Sequence, residues 1–398
     1  MNVLLLAPHP FFQNRGTPIA VKLLATALSE QGHQVDLLTF PEGEDVSLAN
    51  VSIIRVRKTF GIGKIPIGFS MKKLFYDGLM FFRALALLHE NRYDLVHAVE
   101  ESAFIAMVTK VIYKTPYVFD MDSSMPDQII EKYPDLHLTH RILRRIERVM
   151  IRNSAYVVAV CDSLAAIARD CKEESRVAVL EDVPLFVERE GMKSLRIAES
   201  LGIPGAIVMY VGNLEQYQGI DLLLDSFRIT HAREDRHHLV IVGGGQADIA
   251  RYAEMAERAG IGRHVHFLGP KPVDDLPKYL AEADILVSPR IRGENTPMKI
   301  YSYMYSGKPV VATRMKTHTQ VLNDGNSVLA DPNPEDYANS LYELLMDAGK
   351  RDVIGRRAAR DAEEKYSFPV YKRKLAAIYE TISREAGSRH ARATEEIR

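Results

Sequence analysis

The residues with the greatest chemical capacity in this sequence fall between Ser288 and Thr313, in the stretch SPRIRGENTPMKIYSYMYSGKPVVAT. Arg290, Arg292, Glu294, Asn295 and Lys299 lie between an apolar, strand-like run that ends at Ser288 and a helical pattern that begins near Pro297. The amides of a helix start, with the positive end of its dipole, bind phosphate. Arg292 and Lys299 would add charge-assisted hydrogen bonds. Glu294 can only accept, so it should face something neutral and rich in hydroxyls, such as a sugar. Phosphate donors and a hydroxyl acceptor in one loop suit a sugar nucleotide. The plainer reading is a surface loop whose charges merely solvate it.

Other candidates also divide between chemical and structural readings. Gly243-Gly244-Gly245 follows a strand-like run and invites a dinucleotide reading, but the third glycine position of that fingerprint falls on Asp248, which would repel a pyrophosphate. The next strand, Val265 to Leu268, brings no acid to hold a ribose. These glycines therefore read as a tight turn or a close approach to ligand. Asp122 follows the strand-like Tyr117 to Phe119 and could bind a sugar hydroxyl, accept a proton or cap a helix. Asn14 and Arg15, in the first loop, are candidates to reach phosphate or acceptor. His97 and Cys161 read as structural residues. No cluster of His, Cys or acid has metal-ligand spacing, so no bound metal is expected.

These residues must be positioned by two series of alternating strands and helices. The first runs through Val3 to Ala7, Val35 to Thr39, Val51 to Val56, Leu95 to Ala98, Tyr117 to Phe119 and Tyr156 to Val160. The second runs through Ile207 to Val211, Leu239 to Val242, Val265 to Leu268, Ile285 to Val287 and Val310 to Ala312. Short, almost purely apolar runs suit parallel strands covered on both faces, joined by right-handed crossovers. Pro184, Gly191, Gly202, Pro204 and Gly205 mark a linker between the series. The expected organisation is an α/β fold of two Rossmann-like domains, 1–188 and 189–365, with a flexible charged tail at 385–398.

Composition excludes several classes. The 398 residues are 46% hydrophobic, and 51 Lys and Arg nearly balance 52 Asp and Glu, so neither a basic excess nor a basic block points to nucleic acid. Two cysteines exclude a disulfide framework and favour a cytoplasmic protein. No apolar run reaches the ~20 residues that span a bilayer. The stretch 60–89 carries Lys64, Lys72 and Lys73 among Gly, Ile, Leu, Phe and Met. It reads as a helix with a buried stripe and snorkelling lysines, or as a patch touching the inner face of a membrane or a lipid-linked acceptor.

The donor-like segment resembles the signature of retaining nucleotide-sugar glycosyltransferases of the GT-B fold, family four. That signature runs Glu, seven residues, Glu, then Gly-x-Pro-Val; Glu294 takes the first place, Gly307-Lys308-Pro309-Val310 the ending, and Ser302 stands where the second Glu grips the donor ribose. Tyr210 to Asp221, Val242 to Gly245, Phe267 to Gly269 and Ala283 to Pro289 resemble successive pieces of the family's second domain. The loop ending in Gly16, and Gly32-His33-Gln34-Val35, resemble pieces of its first. Tyr366 to Ile382 resembles the closing helix that returns to the first domain, placed here at 366–384. The sequence departs from the pattern at Asn213 and Gln218, where many members carry Arg and Lys, and at Asp122, where the family places a His.

The resemblance implies two parallel sheets facing a cleft and transfer of a sugar, with retention and without a metal, from a nucleoside-diphosphate sugar to a hydroxyl acceptor: a glycan, a lipid-linked molecule or a small molecule. Glu294 and Asp122 would be catalytic. Gly16, Asn213, Gln218, Arg292, Pro297, Met298 and Lys299 would surround the diphosphate, with Lys299, Arg292 or Arg290 replacing the missing cations. Ser302, Gly269 and Lys271 would lie near ribose and base, and His9, Asn14 and Arg15 near the acceptor. A non-catalytic nucleotide-sugar-binding protein and a nucleotide-sugar epimerase stay open as alternatives. Donor base, sugar and oligomeric state are not legible.

Overall fold

Apolar runs too short and too uniform for amphipathic helices become parallel strands. The computed structural model describes residues 1–13, 16–59, 70–132, 137–185 and 194–395, which leaves Asn14, Arg15 and the stretch 60–69 outside the described residues. Two compact units emerge. One comprises Met1–Glu181 with Tyr371–Arg398, and the other Asp182–Val370.

The first unit holds β1 (Asn2–Pro10), β2 (Gln34–Phe40), β3 (Val51–Arg55), β4 (Leu95–Val99), β5 (Tyr117–Met121), β6 (Tyr156–Ala159) and β7 (Val177–Val179). They form one parallel sheet in the order β3-β2-β1-β4-β5-β6-β7. Its helices are α1 (Gly16–Glu30), α2 (Met71–Glu90), α3 (Ser102–Tyr113), α4 (Met125–Lys132), α5 (His137–Asn153) and α6 (Asp162–Arg169). Period-two alternation divides each strand between two layers. Val96 and Ala98 of β4 join a core that includes Met80 and Ala84 of α2, Ala103 and Ala106 of α3, and Met150 and Ile151 of α5. His97, between them, is fully buried and shares hydrogen bonds with Tyr379 Oη (2.8 Å) and Asp120 Oδ2 (3.2 Å).

The second unit holds β8 (Ile207–Val211), β9 (His238–Val242), β10 (Val265–Gly269), β11 (Ile285–Ser288), β12 (Val310–Thr313) and β13 (Val328–Ala330), in a parallel sheet of order β10-β9-β8-β11-β12-β13. Its helices are α7 (Ile197–Leu201), α8 (Ile220–His231), α9 (Gln246–Arg258), α10 (Leu276–Glu282), α11 (Lys299–Tyr305), α12 (Lys316–Thr319), α13 (Pro334–Met346) and α14 (Ala348–Tyr366). The last helix, α15 (Phe368–Glu395), starts in the second unit and continues in the first. There Gln31 donates to the Lys372 carbonyl at 2.8 Å.

Three expectations are corrected. The short strands β7 and β13 add to each sheet; three residues are too few to show a period in sequence. The returning helix runs from Phe368 to Glu395, through most of the segment expected to be a flexible tail. Ala, Arg and Glu dominate that segment, and all are good helix formers. The helix expected near Pro297 begins at Lys299, after a turn in which the Ile300 amide donates to the Pro297 carbonyl at 2.9 Å.

Four imidazoles gather in the second unit. The ring centres of His231 and His264 lie 4.1 Å apart, those of His238 and His264 4.8 Å, and those of His238 and His266 5.1 Å. Burial, and then the charge of His266, push His238 down to about 4, and His231 and His266 are lowered in the same direction. An unfolded chain binds the proton near 6.5, so between these values it holds more protons than the folded chain. Stability from this cluster is complete above pH 6.5 and is lost as pH falls toward 4. Denaturation midpoints measured across that range should fall with pH, and less steeply in His238→Gln; coincident slopes would contradict the assignment.

Candidate donor site at the switch point of the second sheet

In an open parallel sheet, ligands bind beyond the carboxyl ends of strands where the order reverses. In the second unit that point lies between β8 and β11, and the loops following these strands, 212–219 and 289–298, flank it. The two loops are joined directly, since the Ile291 amide donates to the Tyr217 carbonyl at 3.0 Å. Gly219 has φ +73°, and a Cβ there would lie 2.0 Å from the Pro289 carbonyl oxygen. Gly243, after β9, has φ +113°, and its Cβ would lie 2.1 Å from the Gly212 carbonyl oxygen. Gly243 therefore permits a close approach of backbone to backbone.

Lys299 stands at the centre of this edge. Its Nζ lies 3.9 Å from the centre of the Tyr210 ring and donates to Gln218 Oε1 at 3.3 Å. Gly212 makes room, since a Cβ there would come within 3.3 Å of the ammonium. Burial, and secondarily the charge of Arg290, hold the Lys299 ammonium well below its ordinary pKa. Among the described residues it makes no ion pair with a carboxylate. Gln218, which replaces a cation of the family pattern, is buried and serves as acceptor for Lys299. Asn213 is exposed beside it, and its carbonyl accepts from Tyr210 Oη at 2.6 Å.

Arg290 is engaged within its own loop. Its Nε donates to the Arg292 carbonyl at 2.7 Å and its Nη2 to Asn295 Oδ1 at 3.1 Å, while the guanidinium lies 5.0 Å from the Tyr217 ring centre. Gly293, at φ +109°, lets the chain wrap over it; a Cβ there would sit 2.2 Å from Nη2. Arg290 thus folds the loop, and Arg292 and Glu294 are left exposed upon it. Glu294 faces Lys316 at 3.6 Å, a pair so exposed that it contributes little. Behind the loop, buried His318 bonds to the Thr313 carbonyl and to Ser288 Oγ, each at 2.9 Å, and burial pushes it down to about 3. It is a neutral strut between the ends of β11 and β12.

Ser302 is corrected. It is fully buried in α11, and its hydroxyl accepts from the Leu185 amide at 3.0 Å, so it ties down the chain entering this unit and is not presented to a ribose. Gly269, φ +68°, ends β10 with its carbonyl accepting from the Gly243 amide at 2.8 Å, and Lys271 is exposed two residues on. The structure thus brings Lys299, Gln218, Met298, Pro297, Arg292 and Glu294 to one sheet edge. Sequence reasoning missed Tyr210 and Tyr217, the aromatic partners of Lys299 and Arg290, because such pairing across strands leaves no local signal.

Residues expected on the acceptor side belong to the first unit. His9 is buried near the end of β1, Gly16 opens α1, and Asp122 follows β5 half-buried. Beside that edge the sequence concealed an acidic cluster. Lys73 of α2 pairs with Glu101, Ser123 donates to Glu100 at 3.1 Å, and burial followed by the Glu101 charge raises Asp77 to about 8.

Two Rossmann-like units, each built on one parallel sheet, give the GT-B fold. In overall fold the chain is similar to a sucrose-phosphate synthase from Thermosynechococcus elongatus (TM-score 0.79, 18% identity, 96% of this chain and 99% of that one). It is likewise similar to the Anabaena HepE protein solved with UDP (TM-score 0.74, 16% identity, 96% and 100%). The family "Glycosyltransferase Family 4" matches residues 15–181, and "Glycosyl transferases group 1" matches residues 196–361. A phosphatidyl-myo-inositol mannosyltransferase of Mycobacterium tuberculosis is 25% identical over 394 residues, covering 96% of this chain and 97% of its own. A D-inositol 3-phosphate glycosyltransferase of Corynebacterium glutamicum is 26% identical over 394 residues, covering 92% and 91%. The chain belongs to the family 4 glycosyltransferases.

Gly219→Ala combines a left-handed backbone with a backbone clash, each alone of order 1–3 kcal/mol. The variant should lose about 2 kcal/mol or more in denaturant titration and bind nucleotide more weakly. Unchanged stability would mean that the two loops are not locked together as described.

Proposed function

We propose that this protein transfers a sugar, with retention of configuration, from a nucleoside-diphosphate sugar to a hydroxyl acceptor, and that the diphosphate is held in the second unit by Lys299, Arg292 and the amides around Met298. The observation that carries this reading is Lys299 itself: a desolvated ammonium, without a carboxylate partner among the described residues, where α/β sheets bind ligands. An anion placed there restores the missing counter-charge. As the bond to the sugar breaks, charge grows on the departing diphosphate, and donors already fixed in a dry setting stabilise it most.

In this reading Glu294 accepts from the hydroxyls of the transferred sugar, and Gly269 and Lys271 lie near the base. Gly16 is assigned to the diphosphate by the family resemblance, and His9 and Asp122 lie on the acceptor side, where Asp122 binds or deprotonates the attacking hydroxyl. Asn14 and Arg15 are assigned to the acceptor by sequence alone. The cation set supplies the charge that a divalent ion would otherwise bring, so transfer should persist in chelator. HepE, solved with UDP and with UDP-glucose, supports a uridine nucleotide as the first donor to try. Relatives named for phosphatidyl-myo-inositol and inositol 3-phosphate support a polyol or lipid-linked acceptor.

A panel of nucleotide sugars in thermal denaturation should single out the donor, because stabilisation grows with ligand concentration relative to affinity. With that donor, Lys299→Met should lower turnover ~100-fold or more, the usual consequence of losing one transition-state donor. Its melting temperature without ligand should stay near that of the parent. Glu294→Ala should lose transfer with diphosphate affinity kept. Full activity in both variants would overturn the site, and an inverted product anomer by NMR would overturn retention.

Binding should also move a proton. The depressed Lys299 pKa rises when a diphosphate arrives, so the complex takes up protons and affinity falls as pH rises through the titration of Lys299. Calorimetry in two buffers of different ionisation enthalpy measures this uptake, which should vanish in Lys299→Met.

A further inference from the structure

One face of the first unit is at odds with a surface that meets only water. α2, α3 and α5 contribute to the same core and so share one layer on the sheet. α3 runs between the other two: Tyr113 donates to the Leu85 carbonyl of α2 at 3.1 Å, and Lys110 to the Asn153 carbonyl of α5 at 2.7 Å. α3 is apolar nearly all round and contains no acid. A helix of that kind belongs in a core. Yet Phe104, Val111 and Ile112 are exposed by 47%, 69% and 56% along its outer side. On α2, Met71, Phe75 and Phe82 recur at helical spacing and are exposed by 74%, 45% and 68%. Contiguous apolar surface on this scale marks an interaction site.

Charge names the partner. On α5, Arg141, Arg145, Arg148 and Arg152 recur at intervals of four, three and four, one exposed stripe, with Ile142 and Val149 along its edge. None of the four makes an ion pair among the described residues. The single acid of α5, Glu147, is buried, accepts from Ser124 at 2.9 Å, and is pushed by burial up to about 7. A chain of net charge -1 has therefore sorted its charge so that arginines border an apolar face with no exposed carboxylate on α3 or α5. Pairing of two copies through this face would set like charges against each other. A planar, negatively charged and partly apolar surface accepts both components at once.

We infer that the α2-α3-α5 face docks the first unit onto the surface of an anionic phospholipid bilayer, with the apolar side chains entering among the lipids and the α5 arginines resting on the headgroups. No described helix is long and apolar enough to cross a membrane, so the attachment is peripheral. The proposal is independent of the donor site, because binding to vesicles is read without turnover.

The test is co-sedimentation of the full chain with vesicles of phosphatidylcholine, alone or mixed with phosphatidylglycerol. Protein should pellet with the anionic vesicles, and salt should weaken this. Each arginine near such a surface contributes about five-fold in partition, so Arg145→Glu with Arg148→Glu should cost more than ~25-fold. Phe104→Ser with Ile112→Ser should release the protein while raising its solubility. Both double variants should keep the parent's melting transition and nucleotide-induced stabilisation, which separates lost docking from lost fold. Equal binding to neutral vesicles, no binding to anionic ones, or a dimer in gel filtration that the same substitutions dissolve would each overturn the proposal.

Discussion

A cation drawn out of water without a carboxylate to balance it is the constraint around which the second unit is arranged. Desolvating an ammonium is expensive, and a protein ordinarily answers with an ion pair. Here the compensation is the face of Tyr210 and one neutral amide, Gln218, which lower the cost without discharging it. A carboxylate paired with Lys299 itself would have removed that electrostatic demand. Gln218 and Asn213, where the family pattern has cations, thus do not leave the edge uncharged; they leave one charge, more desolvated.

The supporting structure follows from that placement. Lys299 must start a helix at the rim of a parallel sheet, so the strands beneath it must be buried on both faces and the loops beside it must approach backbone to backbone. Gly212, Gly219 and Gly243 permit those approaches, Tyr303 holds the amide of Val211 at 2.7 Å, and neutral His318 fixes the strand ends behind. None of these residues meets a ligand in the proposed mechanism, but each removes a freedom that would let the ammonium swing back to water.

Much of this was legible in the sequence, for identifiable reasons. Strands buried on both faces announce themselves as uniform apolar runs, so all but the three-residue β7 and β13 could be read directly. The loop after β11 was visible because its charged residues lie close together along the chain. What could not be read was which cation the loop encloses: Arg290 and Lys299 differ only in what folds over them, and their ring partners Tyr217 and Tyr210 come from other segments. Ser302 misled because a hydroxyl suits ribose and a buried amide equally well. The stretch 60–89 signalled an unusual surface, but the apolar stripe of α3 was concealed by its resemblance to an ordinary core helix.

The grip of Arg290 on its own loop has a temporal consequence. Because the guanidinium binds the Arg292 carbonyl and Asn295 from within, the loop's disorder is lost when the chain folds, not when a nucleotide arrives. A ligand arriving there would displace water without having to order this loop. Such a rim behaves as a rigid die, its shape set before any ligand is met.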